Sequence, residues 1–298
     1  MIKNLSLLLI TCFSVYLLFT AQKASENEEQ QATMEKGQQI YPVPIPNEMT
    51  FGGELVPLNK YGVKERLDRE LLANTYWQSN MVLLLKRSKR AFAVIEPILA
   101  ENGLPDDLKY LAVAESGLVN ATSAVGAKGV WQFMPRTAKS YGLRVNDQAD
   151  ERLNLEKSTR AACQYLKEAY DHFGNWSLAA ASYNQGRAAT NRDMAKQKVT
   201  DYYDLHLNTE TSRYMLRILA LKQIMSNPNL YGFHIADKDY YASPAFKTIE
   251  VTESIANLSE YAQAIGTNYH ILKSMNPWIK GNELLVTAGS YKLKAPLQ

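Results

Sequence analysis

The chain has 298 residues, 46% of them hydrophobic and 21% charged, which suits a globular protein of one or two domains with a sizeable core. Its formal net charge is only +3, and no basic cluster stands apart from neighbouring acids, so composition gives no case for a nucleic-acid binder. The four histidines show no zinc-like spacing, and no cofactor is expected.

Lys3 precedes a nearly uninterrupted apolar run from Leu5 to Ala21. Such a start is an export signal or an anchor. The run is slightly long for the apolar core of a signal and slightly short for a comfortable membrane span. Cys12, within "LITC", only loosely resembles a lipoprotein cleavage site. Residues 1–21 are therefore expected to be a signal peptide or a membrane anchor, with the rest of the chain exported to the cell envelope or periplasm. Residues 22–40, rich in Glu and Gln, read as a disordered tether. The proline-bearing stretch from Tyr41 is expected to lie extended along a domain surface.

Helical periodicity dominates from about Val63 to Asn227. Helices are expected at about 64–77, 80–101, 106–116, 135–141, 155–172, 177–184 and 210–226. The basic run "KRSKR" (Lys86 to Arg90) falls within the second and reads as a solvated helix face. Cys163 lies among Ala161, Ala162, Tyr165 and Leu166, as a small buried residue would. It is the only cysteine beyond the apolar run, so no internal disulfide is expected there. After Pro228 the pattern changes. "FKTIEV" and "GSYKLKA" alternate like strands, with two short helices between them about a Gly266 turn. The fold class is thus mainly α, with a small strand-helix-helix-strand module over 240–298.

The most informative residue is Glu115. Leu108 and Leu111 precede it by seven and four positions, so all three fall on one helix face. A charge there is paired, exposed at an edge, or functional. Ser116 and Gly117 stop the helix, which puts Glu115 at its C-terminal end. The partial negative charge of that end and the apolar neighbours should both raise its pKa, as a general acid at neutral pH requires. A structural glutamate paired with a distant Arg or Lys fits the periodicity equally well. The loop that follows, "SAVGAKGVWQFMP", sets Gly126, Gly129, Trp131 and Gln132 in a short irregular segment. Glycines allow close backbone approach to a ligand, Trp131 could pack under a sugar ring, and Gln132 offers a donor and an acceptor. For Trp131 and Phe133, plain core packing is the alternative. Tyr183 and Asn184 end a small-residue helix, "LAAASYNQG". Tyr214 lies on an apolar face with Ile218 and Leu221, where a buried hydroxyl needs a partner.

Four segments, "YLAVAESG", "SAVGAKGVWQFMP", "LAAASYNQG" and "TETSRYMLRILA", occur in the order of a known family. Over about residues 40–228 the chain resembles the lytic murein transglycosylases of the soluble-transglycosylase type. The resemblance implies a goose-lysozyme-like, all-helical catalytic domain over 41–228, with its core at about 95–228. It implies non-hydrolytic cleavage between N-acetylmuramic acid and N-acetylglucosamine in peptidoglycan, leaving 1,6-anhydromuramic acid ends. Glu115 would be the single catalytic acid and base. Ser123, Gln132, Tyr183, Asn184 and Tyr214 would contact substrate or orient the glutamate. Ser116, Gly129, Trp131, Phe133 and Met134 are further candidates for the cleft lining. Trp131 departs from the family, many members of which carry Met or another apolar residue there. The implied partners are peptidoglycan strands and, through an uncleaved N-terminus, a membrane; a monomer is expected. A hydrolytic goose-type lysozyme and a non-catalytic wall-binding protein are the alternatives. The C-terminal module resembles a LysM domain in element order and in "LKSMNP", but has "VTES" where "G-D-T" is usual. That leaves glycan binding and packing onto the helical domain both open.

Overall fold

A computed structural model describes residues 41–287 and 289–297. The expectations for residues 1–21 and 22–40 lie outside these. Among the described residues no helix is long and apolar enough to cross a membrane.

A short antiparallel hairpin, β1 (Thr50–Phe51) and β2 (Glu54–Leu55), opens the fold. Helices α1 (Val63–Tyr76) and α2 (Gln78–Glu101) follow, separated by the single residue Trp77. A 3-10 turn, Asp106–Leu108, leads into the short α3 (Lys109–Ser116). A long loop then runs to α4 (Pro135–Ser140), whose proline fits the first helical turn because its missing N–H would be unpaired there anyway. Next come α5 (Leu155–Phe173), α6 (Trp176–Gln185), α7 (Arg187–Gln197) and α8 (Thr209–Ser226).

Asparagine starts several of these helices for one physical reason. A side-chain carbonyl accepts a backbone N–H that the first turn leaves unpaired. Asn154 does so for Lys157, Asn175 for Leu178 and Asn208 for Thr211. Small side chains set the spacing at the centre. Ala179, Ala180 and Ala181 of α6 are fully buried, which lets α6 lie against both α5 and α8. α8 also packs on α1 and α3. This central position explains why it buries Met215, Leu216, Ile218 and Leu219 on nearly every side.

The C-terminal module has the expected order: β3 (Phe246–Val251), α9 (Leu258–Ala264), α10 (Tyr269–Met275) and β4 (Tyr291–Pro296). β3 and β4 pair antiparallel, with Phe246 opposite Pro296 and Val251 opposite Tyr291. Leu258, Leu272, Trp278, Leu284 and Leu293 fill its core. Trp278 stacks on Tyr291 with ring centroids 5.3 Å apart.

This module is joined to the helical domain away from the covalent connection. Asp150 N donates to Trp278 O at 2.8 Å, and Lys280 N donates to Gln148 O at 3.0 Å. Ala149 is buried in the module's own core. The Arg144 guanidinium lies 3.9 Å from the centre of the Tyr291 ring, and Lys294 pairs with Glu156.

Among the elements named above, the β1–β2 hairpin and α7 escape the sequence reading. Strands of two residues show no alternation, so the β1–β2 hairpin reads as an extended stretch. In α7 only Thr190 is buried, so that helix carries no apolar stripe to read.

Candidate active site

α3 supplies the central group. Leu108 and Leu111 are fully buried beneath it, while Glu115, one turn further on, is half-buried at its end. Gly117 closes the helix at φ 62°, in the left-handed region that a residue without Cβ adopts at little cost, and donates its N–H to Val113 O at 2.9 Å. Glu115 Oε1 accepts a hydrogen bond from the Tyr214 hydroxyl on α8 at 2.5 Å. Burial pushes the Glu115 carboxyl up to about 7. The Tyr214 hydrogen bond and the Arg217 charge oppose the rise, and the nearby Glu210 charge adds to it.

The loop from 117 to 134 is held mostly by its own backbone. Ser123 Oγ accepts from Ala127 N at 3.0 Å, and Gly126 N donates to Ser123 O at 3.0 Å. Gln132 adopts φ 49° and turns its amide back on the loop, donating to Gly129 O at 2.7 Å and Ala121 O at 3.1 Å. Ser116 ties α3 to this loop through Val130 O at 2.8 Å. Tyr183 reaches it from α6, donating to Trp131 O at 2.7 Å. Burial, with Glu115 nearby, holds the Tyr183 hydroxyl well above its ordinary range. Asn184 is engaged by the first turn of α8: its amide donates to Glu210 Oε1 at 3.2 Å, and its carbonyl accepts from Thr211 Oγ1 at 2.7 Å.

Arg152 anchors the loop from below. One of its terminal nitrogens, Nη1, donates to Gly126 O at 2.8 Å and to Phe133 O at 3.0 Å. Its other two nitrogens form a forked pair with Asp150, at 2.8 and 2.7 Å. Burial alone would raise the Asp150 carboxyl, but the Arg152 fork and charge hold it below its ordinary value.

For Trp131 and Phe133 the core alternative holds, and for Gly129 the expected approach to a ligand is corrected. Trp131 is fully buried and donates its indole N–H to Thr159 Oγ1 at 2.9 Å, so no sugar ring can rest on it. Phe133 is likewise core, set edge-on to Tyr183. Gly129 allows a close approach, but to protein: a Cβ there would lie 1.9 Å from the Arg152 carbonyl oxygen. Met134 stays exposed.

Glu115 opens on a cavity of about 430 Å³. Its walls come from α1, α2, α3 and α8, and include Glu70, Trp77, Arg87, Ser116, Arg213 and Arg217. Of the other site residues expected from sequence Ser116 lines it, whereas Ser123, Gln132, Tyr183, Asn184 and Tyr214 do not. Arg87 belongs to the basic run expected to be a solvated face, and instead donates to Gly117 O at 3.3 Å on the cavity wall. Lys86 and Arg90 of the same run lie over the Tyr241 ring. Sequence reading missed Glu70, Trp77, Arg213 and Arg217. The spacing of Arg213 and Arg217 by one turn, flanking Tyr214, was the available signal. Among the described residues, no cluster of three or more His, Cys, Asp or Glu side chains could hold a metal ion.

The chain is similar to known proteins in two segments. Residues 92–206 match the Transglycosylase SLT domain, and residues 247–298 match the Soluble lytic transglycosylase C-terminal LysM-like domain. The chain is 30% identical over 197 residues to membrane-bound lytic murein transglycosylase D of Escherichia coli strain K12, covering 64% of this chain and 43% of that one. Peptidoglycan transglycosylase gp16 of Escherichia phage T7 is 43% identical over 89 residues, 28% of this chain and 7% of its own. The solved 70 kDa soluble lytic transglycosylase of Escherichia coli aligns over 61% of this chain and 32% of its own, with 18% identity and a TM-score of 0.40. The chain thus spans less than half the length of these relatives.

Proposed function

We propose that this chain, which carries a transglycosylase SLT domain followed by a LysM-like C-terminal domain, is a peptidoglycan lytic transglycosylase of the cell envelope. The observation that carries the reading is Glu115, a half-buried carboxyl raised to about 7, bonded to Tyr214 and open to a cavity. We assign residues 41–228 to the catalytic domain and 240–298 to the accessory module. Export is inferred from the apolar run at 5–21 and from a relative that is named membrane-bound.

In the proposed reaction Glu115, protonated, gives its proton to the glycosidic oxygen as the bond between muramic acid C1 and that oxygen breaks. The N-acetyl carbonyl of the same sugar stabilises the cationic C1. Glu115, now ionised, takes the proton of that sugar's 6-hydroxyl while the 6-oxygen bonds to C1. The product is a 1,6-anhydro ring, no water is consumed, and Glu115 ends protonated as it began. A carboxyl raised to about 7 suits both halves, since it gives and regains a proton near neutral pH.

Most glycosidases flank the bond with two carboxylates. The other carboxylate lining this cavity, Glu70, is 1% exposed and is held by Arg69, Arg213 and Arg217, which leaves it poorly placed to attack a sugar. This favours one carboxyl acting twice. Tyr214 would orient that carboxyl. Ser123, Gln132, Tyr183 and Asn184 would serve the substrate on the loop side.

The test is mass spectrometry of digested peptidoglycan, run on wild type and Glu115→Gln. Wild type is expected to release anhydromuramic ends, lighter by one water than reducing ends, and the variant to release nothing while staying folded. Mainly reducing ends would instead establish a hydrolase. Undiminished turnover by the variant would remove Glu115 from the chemistry.

A further inference from the structure

The cavity beside Glu115 has a cationic wall that the proposed reaction does not use. Arg87, Arg213 and Arg217 line it, against only two carboxyl groups, Glu70 and Glu115. Glu70 is buried at the base of this wall. Its Oε1 accepts from Arg213 Nε at 2.6 Å and from Arg69 Nη1 at 2.6 Å. Arg217 Nε stands 3.7 Å from Glu70 Oε2, beyond hydrogen-bond length. The Arg213 and Arg217 side chains remain 33% and 32% exposed, so their guanidinium groups still present donors to the cavity. Arg213 also donates from Nη2 to Glu70 Oε2 at 3.4 Å, so the buried acid holds Arg213 by a fork and leaves Arg217 paired by charge alone.

A second feature marks the same cavity. Trp77, the one residue between α1 and α2, is 62% exposed and lines it. A large apolar ring left in solvent beside hydrogen-bonding groups suits the face of a pyranose. Trp77 and Arg87 both precede residue 92, where the transglycosylase domain match begins, so this wall is added to the matched region from outside it.

We propose that this wall is a saccharide subsite for a carboxylate-bearing sugar, in which Arg217 and Arg213 take the carboxylate and Trp77 takes the ring. The proposal rests on the reading of the substrate as a peptidoglycan strand. Such strands carry carboxylates in two places, on the stem peptide and, where the peptide is absent, on the lactyl group of muramic acid. A planar guanidinium binds either through paired hydrogen bonds.

The test is calorimetric binding to the full chain carrying Glu115→Gln, which holds saccharide without cleaving it. Three probes are compared: peptide-bearing strands, peptide-free strands with their lactyl carboxylate exposed, and an uncharged N-acetylglucosamine hexamer. Adding Arg217→Gln is expected to weaken at least one carboxylated probe by about tenfold, the loss of one charge-assisted contact, and the uncharged hexamer by less than about twofold. The carboxylated probe that weakens identifies the source of the anion. Arg217→Lys should restore part of the loss, and Trp77→Ala should weaken all three. Equal effects of Arg217→Gln on every probe, or none on any, overturn the subsite and leave the transglycosylase reading standing. Failure of the Glu115→Gln chain to bind any of the three defeats both.

Discussion

At the scale of single residues, Glu115 and Tyr214 form a pair whose two halves pull the acid in opposite directions. Burial raises the carboxyl to about 7 and the Tyr214 hydrogen bond restrains it. A general acid with a raised pKa works while protonated. Activity is therefore expected to be retained below about 7 and to fall as pH rises through that value. Tyr214→Phe removes a restraint on the protonated form, so the alkaline limb of kcat against pH should move upward. Its kcat below that limb should fall by about tenfold, the equivalent of one hydrogen bond of about 1.4 kcal/mol. A limb that stays in place, or moves down, would show that Tyr214 does not act on the carboxyl. Glu115 was legible in the sequence as a charge on a leucine face. Periodicity showed its partner only as a tyrosine needing a bond, and the pairing was legible through the family resemblance alone, because the two are brought together by the packing of α3 on α8 and not by any local pattern.

At the scale of elements, the loop between α3 and α4 owes its shape to its own backbone hydrogen bonds and to Arg152 beneath it. Its glycines were visible in the sequence, and so was a tight approach, but not the identity of what approaches. That depends on Arg152, which follows the loop and returns beneath it to bond Gly126 and Phe133. Gly129→Ala is expected to destabilise the protein by about 2–4 kcal/mol, because the new methyl would meet the Arg152 carbonyl and φ 84° disfavours any side chain. Thermal or urea unfolding measures this directly. A loss below about 0.5 kcal/mol would mean that the loop shifts freely off Arg152. Trp131 shows the complementary limit. A tryptophan in a glycine loop reads equally as platform or core until Thr159, on α5, is seen to take its N–H. The cavity walls were harder still, because Trp77 and Arg87 carry no motif and face Glu115 only through the way α1 and α2 fold back.

At the scale of the whole molecule, the helical domain and the C-terminal module were legible as separate patterns, and their order of elements was read correctly. Packing of one on the other stood open in the sequence, but its place was not legible, since most of it runs through residues 144–153, which show no periodicity. Removing residues 243–298 is expected to lower the melting temperature of the helical domain by several degrees, because Ala149 and Leu153 lose their apolar cover and Asp150 N loses its acceptor. An unchanged melting temperature would show that the contact carries no stability. The same junction bears on chimaeras. Ala149 sits in the module's core, and the residue next to it, Asp150, forks with the arginine that supports the candidate catalytic loop. A module exchanged at the Pro228–Phe246 connection would leave behind a piece of its predecessor's interior and meet an edge shaped for another partner. The natural seam for grafting thus follows the 146–152 segment rather than the apparent linker, and a transplanted module would have to be fitted to this segment before it could serve any purpose of its own.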